Sequence, residues 1–324
     1  MSRTIRAFSS PRPTVVETLQ QTFQDRPLLR AGPRLNRRML GVLAKAQALY
    51  GLDIHGFVAM SNRWHLMATY QDPRQMARAH CFLSTNLSKE AGRLRDWAGP
   101  MFPERYRHVE IAPEPVTETA RLKYLLSQGC REGLVASPLD WPGVSCVGSL
   151  LSGEPMTGEW IDRTALCRAR ERGEHVDAED FTETLEVHLS PIPSLAHLDP
   201  EDYRRHMAAL VRDIERETAA RHRVDGTRPV GAEQVLAVDP HRRPQTVERR
   251  PRPWLHASDK EMRRPLRTAL IYIVAAYRAA AHELGKGNRN AKFPVHTFPP
   301  GLPFVESPPK SMAPPRNIES LEPG

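Results

Sequence analysis

Long apolar runs are missing from this sequence. No window approaches the roughly 20 apolar residues that a membrane-spanning helix needs, and mean hydropathy is -0.51. Cysteine is scarce: Cys81, Cys130, Cys146 and Cys167 are scattered with no C-x-x-C pair. That excludes a disulfide framework and leaves reduced, mostly buried thiols. The N-terminal stretch MSRTIRAFSSPRPTVVE carries basic residues but not the apolar core of a secretory leader, so a cytoplasmic protein with no membrane partner is expected. Absent too are G-x-x-x-x-G-K-[ST], H-E-x-x-H and G-x-S-x-G, while Gly285-Lys286-Gly287 lacks the strand and helix of a phosphate cradle. The carboxylates are too dispersed for a nuclease built on three acidic residues.

What is present is positive charge. Lys and Arg number 46 against 38 Asp and Glu, a formal net charge of +8. Arginine dominates, and its planar fork binds two phosphate oxygens at once, so nucleic acid is the first partner to test. A solvated basic face is the plain alternative. The densest basic run is Arg242, Arg243, Arg249, Arg250 and Arg252, interleaved with prolines that favour an extended segment over a packed core. It either contacts phosphate or serves as a solvated linker.

The 324 residues suffice for one large or two ordinary domains. Residues 1–13 are polar and proline-containing, a flexible lead-in. TVVETLQQ from Thr14 is a weak strand with Val16, Thr18 and Gln20 on one side. After Pro33, Leu35, Met39, Val42, Ala46 and Leu49 recur at helical spacing, and Gly51 ends that helix. DIHGFVAM and RWHLMATY form strands turning at Ser61-Asn62, with residues 63 and 65 on one face. A helix from Pro73 with Met76, His80, Leu83 and Leu87 inward stops before Gly92. RYRHVEIAP supplies a strand, and a third helix runs from Val116 to Gln128 and halts at Gly129.

This order over residues 14–150 predicts an α+β domain, an antiparallel sheet with helices on one face. Residues 151–198 are a connector with a short helix around Ile161 to Arg172. Residues 199–307 form a helical, basic extension that contains a helix from Pro200 to Arg221. A further helix is opened by a capping box at Ser258-Asp259-Lys260-Glu261, with Pro265 kinking it or delaying its start. Residues 308–324 are a disordered tail.

Four ordered words now stand out: Met60-Ser61-Asn62-Arg63-Trp64-His65-Leu66, then Asn86 and Gly92, then Arg105-Tyr106, then Tyr124-Leu125-Leu126 leading to Arg131-Glu132-Gly133-Leu134-Val135. Together they resemble the single-tyrosine HUH transposases, in particular the REP-associated tyrosine transposases. That family shows a strand M-P-N-H-x-H-L and a helix Y-I-x-x-N-P-V-R-x-G-L-V. The resemblance covers residues 14–150. It implies a ferredoxin-like fold and a strand nuclease and transferase acting on single-stranded or hairpin DNA through a phosphotyrosine. Mg2+ or Mn2+ would be held by the histidine pair, and dimers are usual.

Carried over by position, Tyr124 is the nucleophile, His65 the second metal histidine and Gln128 a third ligand one helical turn after Tyr124. Arg63 stands where the first histidine is expected. A guanidinium offers no lone pair and repels a cation, so three readings stay open: His65 and Gln128 still hold a cation beside Tyr124, Arg63 replaces the metal by binding phosphate itself, or the site holds no cofactor and no longer cuts. A DNA-binding descendant without cleavage is therefore the alternative to an active transposase. Arg105, Tyr106, Arg107 and Arg131 join the basic run as DNA contacts, Tyr106 by base stacking. Each has a plainer role beside this. His65 can be a satisfied core histidine, Tyr124 a packed ring, Gln128 a cap on backbone carbonyls, and Arg105 to Arg107 an exposed edge strand; Trp64 should face away into the core.

Overall fold

The computed structural model describes residues 5–10, 12–245 and 253–300, and the backbone of 305–306. Arg249, Arg250, Arg252 and the tail from 308 lie outside the described residues. β1 (Thr14–Gln21), weak by sequence, is the centre of the sheet. α1 (Pro33–Tyr50) follows, with Pro33 at its first turn and Gly51 closing it at φ 59°. β2 (Asp53–Met60) and β3 (Arg63–Tyr70) make the expected hairpin. α2 (Pro73–Arg95) is capped by Asp72, which accepts from the amides of Arg74 and Gln75. This helix runs through Gly92, because its stop is Asp96 in the left-handed region.

β4 (Arg107–Ile111) then pairs with β1 on the side away from β3, both antiparallel, so the strand order is β2-β3-β1-β4. This is the ferredoxin-like α+β arrangement implied above, with α1 and α2 on one face. Strand alternation divides the core. Val16, Trp64, Leu66, Ala68 and Tyr70 meet Leu35, Met39 and Val42 of α1 and Met76, Leu83 and Leu87 of α2.

The opposite face is covered as well. α3 (Pro115–Leu126), α4 (Gln128–Arg131) and α5 (Val147–Ser152) pack there against Val15, Val58, Met60 and Met67. The third helix therefore ends at Leu126, and Gly129 lies inside a new turn of helix instead of marking the stop.

The segment expected as a connector is a packed hairpin, β5 (Met156–Ile161) with β6 (Thr182–Val187), seated on α1. Gly41 and Gly158 permit this contact: a Cβ on either would overlap backbone of the other segment. α6 (Arg163–Glu171) is the short helix foreseen, and Arg163 holds Glu90 of α2 with two bonds of 2.8 and 2.7 Å.

α7 (Pro200–Asp225) places Met207, Leu210, Val211 and Ile214 in the second core. At about 1.5–3 kcal/mol for each fully buried aliphatic side chain, this is integral packing and not an appended unit. After α8 (Ala232–Ala237), β7 (Leu255–His256) joins β4 in parallel as a fifth strand. α9 (Lys260–Gly285) is capped by Asp259, not Ser258, and keeps Pro265 within it. The N-terminal lead-in is also packed: Phe8 is fully buried and its amide donates to the His296 carbonyl at 3.1 Å. No helix among the described residues is long and apolar enough to cross a membrane.

Candidate functional site

The odd-numbered residues of β1 and β3 face α3, and they carry charge as well as methyl groups. His65 and Glu17 are both buried, with His65 Nδ1 donating to Glu17 Oε1 over 2.9 Å. Arg121 of α3 pairs with the other oxygen of the same carboxylate. Burial alone would oppose ionisation of Glu17, yet the His65 hydrogen bond and charge, with Arg121, outweigh it and lower its pKa to about 2.

Arg121 is held in turn over the Tyr124 ring, one helical turn on, at 4.2 Å from the centroid. The break at Ser127 lets α4 bring Arg131 over the same ring at 5.1 Å. Each such contact is worth about 0.5–1 kcal/mol where exposed and about 2 where desolvated. His65 meets the Tyr124 ring edge-on at 6.4 Å. The break itself is secured by the Tyr124 carbonyl, which accepts from Ser127 Oγ at 3.0 Å and Gln128 Nε2 at 2.9 Å.

Arg63 does not reach into this stack. Its Nη1 donates to Asn62 Oδ1 at 3.0 Å, its Nη2 to Gln128 Oε1 at 3.1 Å, and it forms an ion pair with Glu132. Its charge is thus compensated locally by groups on β3 and around α4.

The donor set does not fit a divalent cation. Gln128 spends its amide oxygen on Arg63 and its amide nitrogen on a backbone carbonyl. His65 gives Nδ1 to Glu17, an arrangement that is itself compatible with a metal on Nε2, but a guanidinium occupies the place of the second imidazole. Among the described residues no group of three or more His, Cys, Asp or Glu is arranged to hold a metal.

Beside Tyr124 opens a cleft of about 440 Å³, lined on the helical side by Arg121, Lys123, Tyr124 and Arg131. Its far wall is His256 and Ser258, brought by β7. Lys123 pairs with Glu217 of α7 at 2.7 Å. Burial, with the Arg121 charge adding and Glu17 opposing, lowers the His256 pKa to about 4, so this wall is neutral at physiological pH.

The remaining predicted contacts are dispersed. Tyr106 is turned into the core and stacks on His80 at 4.1 Å, which removes it as a base-stacking surface. Arg105 is exposed just before β4, and Arg107 pairs with Glu104 at 3.3 Å. Arg242 and Arg243 are exposed beside His241, which meets Trp97 at 5.7 Å; neither arginine lines the cleft. Sequence reasoning missed Glu17, Arg121, Lys123 and His256. Arg121 had a signal, three residues before Tyr124 on a helix already recognised; His256 had none, since only strand pairing brings it there.

No family model matches the chain, and no curated protein does. Among solved structures it is similar to the REP-associated tyrosine transposase bound to a REP hairpin. Identity is 15% and the TM-score 0.39, over 47% of this chain and 86% of that one.

Proposed function

We propose that this protein binds single-stranded or hairpin DNA and seats a backbone phosphate in the Tyr124 cleft. The observation that carries this is the pair of guanidinium groups, of Arg121 and Arg131, over the Tyr124 ring at a cleft they line together. A strand offers alternating phosphates and π-faces, and a cleft with cations around an aromatic ring matches both. The excess positive charge of the chain favours the encounter.

Cleavage is a second reading, favoured by the position of Tyr124 among the residues lining the cleft. The phenolic oxygen would attack phosphorus and lose its proton. A phosphotyrosine bond forms, the P–O3' bond breaks, and the departing oxygen takes up a proton to become a free 3'-hydroxyl. A labelled hairpin oligonucleotide separates the two. A covalent adduct that survives a denaturing gel and vanishes in Tyr124→Phe supports cleavage. Binding without adduct supports recognition alone, and failure to bind any oligonucleotide at low salt removes both.

A further inference from the structure

Arg121, Lys123 and Arg131 line the cleft with Tyr124, while Arg63 lies one hydrogen-bonded residue away through Gln128, and the four differ in how much of their charge is left for a ligand. Arg63 is bound on its fork by Asn62, Gln128 and Glu132. Lys123 is paired with Glu217. Arg121 shares Glu17 with His65, so one carboxylate serves two partners. Arg131 is exposed, lies over the Tyr124 ring, and has no carboxylate partner among the described residues.

We infer that this cleft binds the phosphodiester group of a DNA strand by a metal-free clamp of Arg131 and Arg121, and that Arg63 is no part of it. This rests on the DNA-binding reading above. The arginine that replaces an expected histidine therefore locks β3 to α4 and spends the oxygen of Gln128. The phosphate charge is met from the helices instead of the sheet. Two guanidinium groups that contact one ring and line one cleft hold the bidentate donors that a phosphate oxygen pair accepts, and they do so without dehydrating a cation. The facing wall of His256 and Ser258 is uncharged and compatible with the sugar and base beside that phosphate.

The test is fluorescence anisotropy of a hairpin oligonucleotide and a poly-dT strand on the full chain, in EDTA and again with Mn2+. Wild type is expected to bind equally in both. Arg131→Gln should weaken binding about tenfold and flatten the slope of log K against log salt by about 0.7, one phosphate contact on a single strand. Arg131→Lys should restore part of this, and Arg63→Gln should stay within about twofold of wild type. Equal thermal melting checks that each variant is folded. Binding that requires Mn2+, or a larger loss from Arg63→Gln than from Arg131→Gln, overturns the clamp while the DNA reading stands. No binding of wild type to either oligonucleotide at low salt overturns both.

Discussion

The two faces of the central sheet are built from the same strands and have opposite chemistry. On the α1 and α2 side, Trp64 stacks on His80 at 5.4 Å and His80 on Tyr106 at 4.1 Å, while the Tyr70 hydroxyl donates to His80 Nε2 at 2.9 Å. Burial, with the charges of His108 and Arg6 adding, lowers the His80 pKa to about 3, so the polar atoms there are neutral. On the α3 side the neighbouring positions along β1 and β3 hold Glu17 and His65, and an ion pair reaches to the surface through Arg121. A period of two allows one strand to serve a dry core and a charged site at once, provided no residue slips register.

The difference can be broken from either side. Trp64→Ala empties the largest buried side chain of the dry face and should cost about 3–5 kcal/mol in chemical denaturation. It should leave oligonucleotide affinity per folded molecule unchanged. Glu17→Gln should cost about 3 kcal/mol, because Arg121 and His65 lose a buried partner. Its affinity for DNA should hold or rise, since a negative charge has gone from beneath the clamp.

Acid should then separate the faces. His80 and His108 have folded pKa values of about 3 and about 4 against 6.5, so their contribution is complete above pH 6.5 and is lost as pH falls toward those values. Glu17, lowered from 4.5 to about 2, keeps its contribution above pH 4.5 and loses it below. Stability measured against pH should decline first with the histidines and steepen again below pH 4.5. The smallest effect is Gln128→Ala, which gives up neutral bonds to Arg63 and the Tyr124 carbonyl for about 1 kcal/mol in the same assay.

The sequence was informative where structure is local. The hairpin turning at Ser61-Asn62, the helix from Pro33 to Gly51 and the shared face of residues 63 and 65 follow from alternation and from terminators that act within a few residues. Gly129 misled because a glycine after an apolar helix is an ordinary stop, whereas here Val135 and Trp141 crowd it and the chain turns at Ser127. The second core, the β5–β6 hairpin on α1 and the arrival of His256 depend on contacts distant in sequence, which no local period encodes. Arg63 was recognised as the anomaly, but its partner Glu132 sits on another element, and that partner decides whether its charge is available.

The short strand β7 also has a consequence for the solution behaviour of the chain. Its neighbourhood accepts from the amides of Glu110 and Ala112, through the Trp254 carbonyl at 3.0 Å and the His256 carbonyl at 2.8 Å. A chain cut before Trp254 would leave that border of β4 as an open template for strand addition by a second molecule. The C-terminal segment thus covers that border, and a chain ending just before Trp254 is expected to form higher-order species in size-exclusion chromatography where the full chain does not.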